Sequence, residues 1–127
     1  MNKIGKNITV LVIIVLALLV IALILFYPKS SSGGAYLNSF AQCLSAKGAV
    51  MYGAYWCPHC QNEKAAFGSA FSYVNYVECT QETAKCNAAG VQGFPTWIFP
   101  DGRRFEGEQG LQKLAEESGC VLPAPSP

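Results

Sequence analysis

The chain is poor in charge. Only 13% of its 127 residues are Asp, Glu, Lys or Arg, and the formal net charge is +1. Residues 35–122 hold six Lys/Arg against eight Asp/Glu, a formal charge of −2. Such a surface lacks the basic stripe that nucleic-acid binding needs, so no nucleic-acid partner is expected. The patterned sequence and low charge count also exclude a disordered chain. Internal repeats are absent, and low complexity is confined to a Ser/Gly spacer and a Pro-rich end. Metal ligands are scarce. A zinc site built on Cys57 and Cys60 would need two more ligands; Cys79 and Cys86 are too far apart for the usual spacing, and His59 lies inside the first pair. No metal is expected.

What is present begins with residues 8–26, 19 residues without a charge. As a helix rising about 1.5 Å per residue, this run spans roughly 28 Å, near the ~30 Å hydrocarbon core of a bilayer. Lys3 and Lys6 precede it, and Lys29 alone follows before the spacer. The positive-inside rule then expects a cytoplasmic N-terminus (1–7), a retained anchor (8–27), a Ser/Gly linker (28–34), an extracytoplasmic domain (35–122) and a Pro-rich tail (123–127). A cleaved signal peptide is the alternative, but its apolar core is usually shorter and ends in a small-x-small site. All six cysteines lie beyond the anchor. That placement suits a compartment where disulfides persist, such as a periplasm or outer face.

The extracytoplasmic part alternates helix and strand. Leu37, Phe40, Ala41 and Leu44 fall on one helical face, closed by Gly48. Residues 49–55 read as a buried strand, 58–71 as a helix and 73–77 as a second strand. Thr80 can cap a short helix running through Ala89. Residues 96–99 and 103–106 flank Asp101-Gly102, a two-residue hairpin signal. Leu111, Leu114 and Ala115 carry a last helix that stops at Gly119. A strand–helix–strand unit implies a parallel pair, and the hairpin adds an antiparallel edge. The expected fold is α/β, a mixed sheet with helices on both faces.

The informative stretch is Tyr55-Trp56-Cys57-Pro58-His59-Cys60, where a strand hands over to a helix. A cysteine at a helix N-terminus meets free N–H groups and the positive end of the macrodipole, which favours its thiolate. Pro58 suits the first helical position. Cys60 lies one turn on, and a protonated His59 would add a positive partner; the alternative for His59 is a solvated loop residue. Free cysteine ionises near ~8.5, and C-x-x-C sites range down to about 3.5. That difference is roughly 7 kcal/mol, or a shift of ~150 mV towards an oxidant. Trp56 and Tyr55 read as site wall and core. Arg103-Arg104 reads as a solvated edge that discourages sheet-to-sheet pairing. Pro95 sits at a strand start, where its missing N–H is tolerated.

W-C-P-H-C after a strand, followed by Gly93-Phe94-Pro95-Thr96-Trp97, resembles the thioredoxin superfamily, and C-P-H-C is similar to the motif of the DsbA-type oxidases. The wider wording resembles the thioredoxin-like domain fused to, or partnered with, bacterial and plant vitamin K epoxide reductase homologues. The stretches that carry this likeness are Phe40-Ala41-Gln42-Cys43-Leu44, Gly48 to Cys57, Gly68-Ser69-Ala70-Phe71 and Tyr73 to Cys79. The resemblance implies a thioredoxin fold, Cys57 as the exposed reactive sulfur, Cys60 as its buried partner and Pro95 as a cis-proline packed against the disulfide. It also implies an integral-membrane, quinone-linked partner of the vitamin K epoxide reductase type. Two positions depart from the wider superfamily. Met51 stands six residues before the first cysteine, where thioredoxin has a buried acid. Only about 20 residues (74–93) lie between the motif helix and the proline, without the helical insertion of DsbA-type oxidases.

The expectation is a membrane-anchored thiol–disulfide oxidoreductase with no cofactor beyond a redox-active Cys57–Cys60 disulfide. It would oxidise cysteine-containing secreted proteins and be reoxidised by the membrane enzyme. A reductase or isomerase, or a disulfide-stapled binding module, are the alternatives. Cys79 and Cys86 read as a local structural disulfide, with a second redox relay as the alternative. Cys43 and Cys120 remain by elimination and would staple the ends of the domain, worth about 4 kcal/mol by loop entropy.

Overall fold

The computed structural model describes residues 3–26 and 34–124. Nearly all of the expected linker, and residues 125–127 of the tail, lie outside that range. The chain falls into two units, Met1–Ser30 and Ser31–Pro127. The first contains helix α1 (Lys3–Phe26). Its Gly5–Phe26 stretch is long and apolar enough to cross a bilayer, a test that signal sequences also pass.

The second unit is built on a four-stranded sheet. After a 3-10 turn at Ala35–Leu37 come α2 (Asn38–Ala46), β1 (Val50–Gly53), α3 (Pro58–Phe67), β2 (Asn75–Glu78), α4 (Thr83–Ala88), β3 (Thr96–Ile98), β4 (Arg104–Glu106) and α5 (Gly110–Ser118). The strand order is β2-β1-β3-β4. β1 runs parallel to β2, with Gly53 opposite Glu78, and antiparallel to β3. β3 and β4 form the antiparallel hairpin. This is the thioredoxin fold: a mixed sheet flanked by helices, in the expected order of elements.

The periodic apolar residues of the 3-10 turn and α2 enter the core. Leu37, Phe40, Ala41 and Leu44 are fully buried. Phe40 stacks on Phe67 of α3 at 5.9 Å, and Phe67 lies 6.1 Å from Trp97 of β3. One aromatic column thus ties α2, α3 and the sheet together, with each ring adding specific contact to its buried area. Cys43 of α2 is bonded to Cys120, just past α5. That bridge closes the two ends of the unit across 77 residues.

Three expectations are corrected. The hairpin does not turn on two residues. Phe99 N–H donates to Arg103 O, and Gly102 N–H donates to Phe99 O. The loop is therefore Pro100-Asp101-Gly102, closed by Gly102 at φ 87°, and proline's fixed φ favours this longer turn. The helix read over 58–71 stops at Phe67, because Gly68 leaves helical space (φ 56°) and a 3-10 turn, Gly68–Tyr73, follows. Thr80 does not cap α4. Its N–H and hydroxyl donate to Glu78, and the N-cap position falls to Glu82.

Candidate active site

The site forms where β1 ends and α3 begins. Cys57 is the N-cap of α3, with extended backbone (φ −77°, ψ 118°). Its Sγ accepts the N–H of Cys60 at 3.3 Å, so the sulfur takes the place that a Ser or Asp oxygen fills at other helix starts. Pro58 follows in the first turn. The Cys57 N–H is held by Ala54 O at 3.1 Å, which fixes the strand-to-helix turn. Anything negative on this sulfur faces free backbone donors and the helix dipole.

Cys57 and Cys60 are free thiols in this structure. Cys60 is fully buried, as the resemblance implies. Cys57 is not exposed: only 4% of it reaches solvent. Its Sγ is recessed, lying 3.6 Å from Phe94 O. The Phe94–Pro95 peptide is cis. Gly107 N–H donates to Pro95 O at 2.7 Å, and Thr96 Oγ1 donates to Gly93 O at 2.8 Å. These bonds hold the proline loop against the cysteine. Trp56 packs edge-on against Phe94 at 6.0 Å and stays more than half exposed, like Tyr55. Trp56 flanks the proline loop through Phe94, and neither ring belongs to the core.

The His59 ring meets the loop before α5. Its Nδ1 lies 3.0 Å from Glu108 Oε2, which also accepts from Asn62 Nδ2 at 3.2 Å. The His59 and Asn62 bonds hold the Glu108 carboxyl below its ordinary range. His59 and residues 107–110 line an open cavity of about 510 Å³ beside the motif.

Burial pushes the Cys60 thiol up to about 12, with the hydrogen bond and charge of Cys57 adding to the effect; the Ala54 backbone and Lys64 oppose it. Four residues that sequence reasoning passed over surround the buried half of the site. Tyr76 Oη donates to Glu78 Oε2 at 2.7 Å. Lys64 Nζ sits over the Tyr76 ring, 3.7 Å from its centre. Burial, then the bond to Glu78, raises the Tyr76 phenol. Burial acts to raise Glu78, but bonds from Tyr76, Thr80 and the Tyr55 N–H outweigh it and hold that carboxyl low. The fourth is Glu63, buried in the middle of α3. Burial raises its carboxyl, and the N–H groups of Gln109 and Gly110 partly offset the rise. Its oxygens accept those N–H groups at 2.8 and 3.1 Å, capping the start of α5. One signal was present: Cys60, Glu63 and Phe67 share helical spacing, so an acid stood on the buried stripe.

The second short-spaced cysteine pair is bridged, Cys79 to Cys86. Among the described residues no three His, Cys, Asp or Glu side chains converge as a metal site.

A redox-capable dithiol at a helix mouth, faced by a cis-proline on a mixed four-stranded sheet, defines the thioredoxin class of architecture. Comparison with known proteins agrees: the family profile Thioredoxin matches residues 36–117, and the chain belongs to that family. It is 42% identical over 102 residues to "Thiol-disulfide oxidoreductase LTO1" of Arabidopsis thaliana, a match covering 73% of this chain but only 27% of that relative. A solved thioredoxin of Fasciola hepatica matches at 28% identity and a TM-score of 0.44, covering 56% of this chain and 76% of the other.

Proposed function

We propose that the protein is a membrane-anchored thiol–disulfide oxidoreductase that oxidises thiols of extracytoplasmic proteins. The observation that carries this reading is Cys57 Sγ at the N-cap of α3, one turn from a buried Cys60 and beside Pro95. In the bridged form a substrate thiolate attacks Cys57 Sγ, the Cys57–Cys60 bond breaks, and Cys60 leaves with the electron pair and takes up a proton. A second substrate thiolate then attacks the substrate's own sulfur in the mixed disulfide, and Cys57 leaves. The substrate gains a disulfide and the pair holds two electrons more. Attack from outside can reach Cys57 only, because Cys60 has no exposed surface.

The oxidising direction is supported by the N–H that Cys57 Sγ accepts and by Met51, which puts no carboxylate on the buried face of β1. Reoxidation by a membrane quinone enzyme of the vitamin K epoxide reductase type rests on the sequence resemblance. Anchoring by α1 would place both partners in one membrane and raise their effective concentration.

The test uses the full chain in cells with Cys60→Ala, which stalls exchange at the mixed disulfide on Cys57. Trapped secreted proteins together with a membrane quinone enzyme are the expected products. Nothing trapped refutes the reading. Two further measurements fix direction and side: the potential of the pair against glutathione, and labelling of Cys57 in intact cells by a membrane-impermeant alkylator after mild reduction.

A further inference from the structure

Exchange at this site requires the buried Cys60 to gain and lose a proton, and no solvent touches it. The surroundings name few candidates. On α3 the ionisable neighbours are Cys57 and Lys64; on β2 they are Tyr76 and Glu78. β1 contributes Met51 and Gly53 as its buried residues, neither ionisable, while Val50 and Tyr52 alternate to its other side. Glu63 is already occupied by Gln109 and Gly110.

Gly53 is the informative position. A Cβ there would lie 3.0 Å from Cys60 Sγ and 3.3 Å from Tyr76 Oη. Sulfur and hydroxyl therefore close on one narrow gap at Gly53, tighter than a side chain at residue 53 would allow. Beyond the gap, Tyr76 Oη donates to Glu78, and Glu78 is partly exposed. Buried thiol, phenol, carboxylate and solvent thus follow in sequence. The register sets this: Gly53 pairs with Glu78, and Tyr76 is two residues back on the same face of β2.

We propose that Tyr76 and Glu78 form the path by which the Cys60 thiol exchanges its proton with solvent, an inference that rests on the oxidoreductase reading above. In the reducing half-cycle the proton of Cys60 passes across the gap to Tyr76 oxygen, while the Tyr76 proton passes to Glu78 and then to solvent. The Cys60 thiolate attacks Cys57 Sγ, and the thiolate bound there leaves. In the oxidising half-cycle the same groups return a proton to departing Cys60. Lys64, over the Tyr76 ring, favours negative charge on either group in transit.

The experiment reads the two sulfurs separately. Reduced full-length protein in detergent is mixed with dithiobis-nitrobenzoate, whose disulfide releases a coloured thiolate at each step. Cys57 attack releases the first; Cys60 attack on the mixed disulfide releases the second and closes the pair. Tyr76→Phe and Glu78→Gln are expected to leave the first release unchanged and slow the second by about 10- to 100-fold at neutral pH. The deficit should narrow as pH rises and hydroxide takes the proton. Gly53→Ala, which fills the gap, should slow the second release in the same pH-dependent way. A second release at wild-type rate in both Tyr76→Phe and Glu78→Gln overturns the proposal. So does an equal slowing at every pH, which a merely structural role would give. If Tyr76→Phe does not fold, Glu78→Gln carries the same decision. Wild-type protein that releases nothing from Cys57 overturns the oxidoreductase reading and the relay together.

Discussion

Two short-spaced cysteine pairs lie side by side at one end of the sheet, and only one has a sulfur at a helix N-cap. Cys57 and Cys60 follow β1; Cys79 and Cys86 follow β2, with the Cys79 N–H bound to Gly53 O at 2.8 Å. Burial does not separate them, since the first pair is 4% and 0% exposed and the second 7% and 4%. Helix geometry does. Cys57 caps a 10-residue helix and receives a backbone N–H on its sulfur. Cys79 lies outside the six-residue α4, whose start belongs to Glu82, and Cys86 sits inside it. What separates the two pairs is where a sulfur meets a helix, not how near two sulfurs stand in sequence.

The sharpest way to break that comparison is to remove each pair. Cys57→Ser is expected to lower exchange with glutathione, followed by acid quenching and mass spectrometry, by more than about a hundredfold. The double change Cys79→Ser with Cys86→Ser should leave the rate within about threefold and cost about 2 kcal/mol of stability, the loop-entropy value for so short a loop. A tenfold loss of exchange in the double variant would make the second pair a relay and end the distinction. Stability then sharpens the contrast between the two bridges. Cys43→Ser with Cys120→Ser opens a loop of 77 residues and should cost about 4 kcal/mol in urea denaturation. Equal losses from both bridges would show that loop length is not what governs them.

The legible parts of this molecule were those written in local spacing. Leu37, Phe40, Ala41 and Leu44 announce a one-sided helix because helix packing repeats within a few residues. Cys57-Pro58-His59-Cys60 announces a helix mouth because cap, proline and second sulfur lie within one turn. The order of strands and helices followed from the same periodicities. Illegible parts depended on register or on competition between turn signals. Tyr76 and Glu78 reach the Cys60 side only through the pairing of β1 with β2, some 25 residues apart in the chain. Asp101-Gly102 signalled a tight hairpin, and Pro100 shifted it to a longer one. His59 stood next to the reactive sulfur in sequence, yet its ring turned to Glu108, a partner 49 residues away.

The middle of α3 carries the last contrast: there the buried Glu63 carboxyl serves structure and lies outside the redox path. Glu63→Ala removes the acceptor for two N–H groups at the start of α5 and should cost about 1–3 kcal/mol. Glu63→Gln keeps an acceptor oxygen and removes the ionisation. Because the folded protein raises this carboxyl, the native state holds its proton more tightly than the unfolded chain does. The stabilisation from Glu63 is complete below the ordinary glutamate value, about 4.3. It is lost as pH rises through the elevated folded value. Glu78 and Glu108, both held low, act in the opposite sense and lose their contribution as pH falls. Subtracting the Glu63→Gln stability curve from the wild-type curve isolates the first effect. The difference should decline with rising pH above about 4.3 and then level off. Parallel curves would mean that Glu63 ionises in the folded protein as it does in the unfolded chain, and that its two backbone donors cancel the cost of burial.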